Sequence, residues 1–88
     1  MSGGYLIIDC SGHGINGNFK IDNIYNRIKN TNKPVLLENW HDNIKSILLT
    51  FQDDDDGFLR ARAEMPRDVY NFTVKSDGTL TITDLPIV

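Results

Sequence analysis

Residues 69–85 (VYNFTVKSDGTLTITDL) alternate between apolar and polar side chains. Tyr70, Phe72 and Val74 are separated by Asn71, Thr73 and Lys75; beyond Ser76-Asp77-Gly78, Leu80 and Ile82 are separated by Thr81 and Thr83. Successive side chains of a strand point to opposite faces, so two period-two runs around an Asp-Gly turn predict a β-hairpin. One face of it is oily and must cover a core; the threonine face can meet water.

Upstream, residues 5–10 (YLIIDC) form a short apolar run that predicts a strand. Residues 11–18 (SGHGINGN) have loop composition, and Phe19-Lys20-Ile21 can add a few extended residues. Between residues 21 and 30, Ile21, Ile24, Tyr25 and Ile28 share one helical face, with Asp22 placed to cap the first turn. Asn30-Thr31-Asn32-Lys33-Pro34 ends that helix, because asparagine tolerates left-handed geometry and proline disfavours helix in the residue before it.

The remainder predicts strands. Residues 34–38 (PVLLE) and 44–52 (IKSILLTFQ) flank a polar turn at 39–43 (NWHDN). Residues 53–57 (DDDDG) form a second turn. From 58 to 65, Leu59, Ala61, Ala63 and Met65 alternate with Arg60, Arg62 and Glu64, and Pro66-Arg67-Asp68 breaks the run. The expected class is α+β, one helix packed on a mainly antiparallel sheet, in the order β-α-β-β-β-β-β. With 88 residues the chain has room for one core; residues 5–88 are expected to form a single domain, and residues 1–4 (MSGG) a flexible N-terminus or expression scar.

Composition narrows the function classes. An apolar share of 40% and a charged share of 24% describe an ordinary globular chain. A net charge of −3 provides no electrostatic footprint for nucleic acid, and no apolar run is long enough to span a membrane. The start lacks the basic and apolar regions of a secretory signal. One cysteine, Cys10, excludes an internal disulfide framework and fits a reducing compartment.

Candidate chemistry is sparse. Gly12-His13-Gly14-Ile15-Asn16-Gly17 matches G-x-G-x-x-G after a strand, and Glu38 ends the next strand where a ribose-binding acid could stand. The helix, however, starts several residues beyond the last glycine and no second βαβ half follows, so the segment is expected to be a loop. Cys10, His13, His41 and Asp42 lack the spacing of a zinc site, and a Cys10–His13 nucleophile pair has no orienting third group. Asp53 to Asp56 suggest a calcium loop, but Gly57 stands where the fifth position needs an acid. No metal or cofactor is expected. Arg60, Arg62 and Arg67 could form a small basic strip, more simply explained by cross-strand pairing with acids.

Trp40, in the polar turn beside His41, admits two readings. Exposed, it would be a hot spot for a protein partner; folded back, it would cap the sheet core, and this second reading is the simpler. A domain this small, without disulfide or metal, gains from a partner, so a homo-oligomer or docking onto a larger assembly is expected.

Residues 21–29 (IDNIYNRIK) and 32–37 (NKPVLL), with the closing hairpin 70–83, resemble a small α+β module of Firmicutes phage and prophage proteins. There a helix of the form YxxIxxxIxxGKPV precedes several strands and a hairpin of the form YxVTVNSDGTVTxT. Asn30-Thr31-Asn32 departs from the small-residue turn of that pattern, and the segment YLIIDCSGHGING is less typical of it. The resemblance implies a non-enzymatic virion or tail module for attachment or assembly, in the virion or the host cytoplasm. It would act through contacts with itself or other virion proteins, not with nucleic acid or membrane. Trp40, His41 and Asp53, Asp54, Asp55 and Asp56 are the candidate protein-binding residues. The alternative is a small acidic phage effector that inhibits a host protein, with the four aspartates probing a basic groove.

Overall fold

A computed structural model describes residues 5–11, 17–31, 33–40, 46–54, 56–65 and 68–86. The expectations placed on residues 1–4, His13, His41, Asp42, Asp55 and Arg67 lie outside the described residues. The elements run β1 (Leu6–Asp9), β2 (Gly17–Lys20), α1 (Ile24–Thr31), β3 (Val35–Glu38), β4 (Ser46–Leu49), β5 (Gln52–Asp53), β6 (Phe58–Glu64), β7 (Asp68–Lys75) and β8 (Thr79–Pro86). The class is α+β, with one helix packed on mainly antiparallel sheets.

Two sheets replace the one expected. The larger has the order β2-β8-β7-β6-β5 and is antiparallel throughout. Its centre is the hairpin that the alternation predicts. Phe72 lies opposite Ile82 and Val74 opposite Leu80 on the core face, while Thr73 faces Thr81 and Asn71 faces Thr83 on the other. The turn between the strands holds Gly78 at φ 93°, and the Asp77 carboxylate accepts the Thr79 N–H at 2.9 Å. The smaller sheet has the order β1-β3-β4, with β1 parallel to β3 and β4 antiparallel to it. The segment between β1 and β3 makes the crossover a parallel pair requires, and α1 is part of it.

The expected strand over 44–52 is two strands in different sheets. After Leu49 the chain turns at Thr50-Phe51 and joins the larger sheet as β5. Ile47, Leu49 and Phe51 all pack toward the core, so the alternation continues in phase across the corner and leaves no mark in the sequence. The helix begins at Ile24, later than the spacing predicts. Asp22 lies in the preceding turn; Asn23 has φ 60°, and the Ile24 N–H donates to the Ile21 carbonyl at 3.2 Å. Ile24 and Ile28 are buried as predicted, with Ile21 and Tyr25 packed beside them.

One core unites the layers. Ile8, Val35, Leu37 and Leu49 from the small sheet meet α1 and the inner face of the large sheet. Trp40, just beyond β3, stands between the sheets. Its ring makes edge contacts with Tyr70 at 5.1 Å and Phe72 at 5.3 Å. Aromatic pairs favour this geometry because a positive ring edge meets a negative face.

Candidate functional site

Among the described residues, nothing covers one face of the small sheet. Strand registers align its residues in rows across β1, β3 and β4. Leu6–Val35–Leu49 and Ile8–Leu37–Ile47 point into the core; Ile7–Leu36–Leu48 and Asp9–Glu38–Ser46 point away from it. Ile7 and Leu48 are each 52% exposed, and Tyr5, two residues before Ile7, is 48% exposed. Among the described residues, three of the four large exposed hydrophobic side chains therefore belong to one small surface. Asp9 and Glu38 mark its acidic end. The Asp9 carboxylate accepts the Ser11 N–H, the Ser11 hydroxyl and the Asn39 side-chain amide, joining the end of β1 to the end of β3.

Apolar runs such as LII in β1 and VLL in β3 belong to strands covered on both faces. Here the core covers one face. The runs themselves are the sequence signal for this surface, because a strand with water on one side would alternate. Composition and motif searching passed over Tyr5, Ile7, Leu36 and Leu48 for that reason.

The residues singled out from the sequence stand elsewhere. Trp40 is 1% exposed, which sets aside the exposed hot-spot reading: its indole fills the space between the sheets and cannot reach a partner while the domain is folded. Of the aspartates at the β5–β6 turn, Asp53 and Asp54 have partners within the chain. Asp53 pairs with Lys29 at 3.5 Å, an exposed contact worth about 0–1 kcal/mol. Asp54 accepts the N–H groups of Asp56 and Phe58, both at 3.0 Å, and pairs with the Arg60 guanidinium. Arg60 also lies over the Phe58 ring at 4.8 Å. The arginine pairings are more local than predicted: Arg62 meets Glu64 of its own strand at 3.1 Å. A groove of about 520 Å³ between Thr50 and these arginines is thus flanked by charges that already have partners.

The Asp54 network has a pH signature. The Arg60 hydrogen bond, more than the amides of Phe58 and Asp56, holds the Asp54 carboxyl below its ordinary 3.8. A folded value lower than the unfolded one gives a contribution that is present above 3.8 and lost as pH falls through the lowered value. Carboxyl NMR titration is expected to show the Asp54 midpoint below 3.8, and Arg60→Ala to move it upward. A midpoint unmoved by that substitution would contradict the assigned cause.

Nucleophilic chemistry has no support at Cys10. Its thiol is buried in the core cluster, and burial, then the charge of Asp9, pushes it up to about 11. The thiolate is the reactive form, so at neutral pH this group is a small apolar core residue. Gly17 opens β2 and not a helix, unlike the last glycine of a dinucleotide loop. Among the described residues, no group of three or more His, Cys, Asp or Glu side chains could hold a metal ion, and no helix is long and apolar enough to cross a membrane. No family model, curated protein or solved structure matches this chain.

Proposed function

We propose that the protein is a non-enzymatic interaction module that docks onto another protein through the outer face of its three-stranded sheet. The row Ile7–Leu36–Leu48, extended by Tyr5, carries this reading. Apolar side chains clustered on one face of a small domain cost solubility, and a row flanked by polar positions is the form an interface core takes. The acidic residues Asp9 and Glu38 form one rim and favour a partner with basic groups at that border. The resemblance to phage modules points to virion or tail proteins as partners and to assembly or attachment as the role.

The test uses Leu48→Lys. Leu48 is half exposed, so the substitution is expected to leave thermal stability within about 0.5 kcal/mol of wild type. It places a charge in the apolar row and is expected to weaken capture of phage virion proteins by about tenfold or more, that is, about 1.4 kcal/mol. Capture of those proteins at wild-type strength by Leu48→Lys would sink the docking face. Turnover of a substrate by the purified wild-type protein would sink the non-enzymatic reading.

A further inference from the structure

The geometry points to a binding site for a small amphipathic monoanion, a carboxylate carrying an apolar tail, in the cleft beside the end of α1 where the chain passes from one sheet to the other. The inference goes beyond the docking reading and does not depend on it.

Trp40 fills the space between the sheets beyond the C-terminal end of β3. The opposite end of β3 is built differently. There Pro34 leads into the strand, α1 has reached its last turn, and the chain leaves the small sheet through Thr50-Phe51. Between these elements and β6 the described residues leave a cleft of about 470 Å³. Small-molecule sites are clefts of about 300–1,000 Å³ with largely apolar walls and a few polar groups that fix orientation. The walls here include Ile28 and Leu59, both buried, and Pro34 and Phe51, both half-buried. A tail entering between them takes apolar surface out of water on both sides of the contact.

Charge selects the head group. Lys29, Lys33 and Asp53 line the same cleft, and all three are exposed. Lys29 pairs with Asp53 at 3.5 Å and lies over the Tyr25 ring at 5.5 Å. The ion pairs of the described residues leave Lys33 out, so its ammonium is the cation open to a ligand. Two ammonium groups against one carboxylate give the rim one positive charge in excess. The carbonyl end of α1 offsets about half of that charge, which suits a head with one negative charge better than one with two. The Thr50 hydroxyl also lines the cleft and is a donor of the kind a carboxylate accepts. The groove beside Arg60 and Arg62 lacks this combination. Both of its arginines are paired, and its described lining is polar apart from Ala61.

The test is an amide NMR titration of the whole chain with sodium octanoate, run beside octylammonium chloride, which has the same tail and the opposite charge. Octanoate is expected to give saturable shifts at the Ile28, Phe51 and Leu59 amides while those of Ile7 and Leu48, on the outer face, stay still. Octylammonium is expected to bind about tenfold more weakly or worse, because it meets repulsion where octanoate meets attraction. That comparison needs no variant. Lys33→Glu alters an exposed side chain outside the ion pairs, so its thermal unfolding should match wild type, and its affinity for octanoate should fall by about tenfold. The inference is overturned by octanoate that produces no saturable shift at Ile28, Phe51 and Leu59, or shifts Ile7 and Leu48 in their place. It is equally overturned by octylammonium that binds as tightly, or by a folded Lys33→Glu that binds octanoate as wild type does.

Discussion

Trp40→Ala is expected to destabilise the protein by about 3–5 kcal/mol, the range for removing a large buried aromatic side chain. Scaled by length, a chain of this size holds about 4–13 kcal/mol in total, so the variant sits near the limit of folding at growth temperature. The size of the effect follows from position. Trp40 is 1% exposed and touches Tyr70 and Phe72 of the large sheet from the end of β3 in the small one. Removing the indole opens a void between two layers that are also held at their spacing by the other core side chains, so the layers can close it only in part. Trp40→Phe keeps an aromatic ring in the gap and is expected to cost about half as much. Urea unfolding followed by circular dichroism checks both values. Trp40 is also the single tryptophan, so native emission should be blue-shifted and move to the red in the same transition. A Trp40→Ala midpoint within error of wild type would mean that the sheets are held together without this contact.

The parts of the fold that were legible in the sequence are those where one local period decides the environment. Between Tyr70 and Val74 of β7 and at Leu80 and Ile82 of β8 every second residue is buried, and the turn needs a glycine with positive φ; both facts are written in adjacent residues. The buried face of α1 is legible for the same reason. What could not be read depends on distance along the chain. Gly17 lies opposite Ile82 and Leu6 beside Val35, and no neighbouring residue encodes either choice. The corner at Thr50-Phe51 keeps the period-two phase, so one run of alternation hides a change of sheet. The burial of Trp40 was open to either reading because a residue in a polar turn is placed by tertiary packing alone. The apolar face of the small sheet was missed for a related reason. Continuous apolar runs announce strands covered twice, and only the assembled layers show that, among the described residues, one cover is absent.

Gly78→Ala is expected to cost about 1–3 kcal/mol, as a residue held in a sparsely populated backbone region, and Gly57→Ala is expected to cost less. The two glycines form a controlled pair. Both close hairpin turns with positive φ, 85° at Gly57 and 93° at Gly78. A methyl group on Gly57 meets nothing within 4 Å, so its cost is the backbone conformation alone, about 1–2 kcal/mol. A methyl group on Gly78 would lie 3.0 Å from the Ile21 carbonyl oxygen. That oxygen cannot yield cheaply. It accepts the Ile24 N–H at the start of α1, while the Ile21 N–H donates to the Gly78 carbonyl at 3.1 Å. The turn of the central hairpin and the entry to the helix are thus one contact, and pushing them apart disturbs the approach of Ile24 and Ile28 to the core. The difference between the two variants in denaturant midpoint therefore isolates the hairpin–helix contact from the backbone penalty they share. Equal losses would show that Ile21 moves aside freely and that α1 is held by its isoleucines alone.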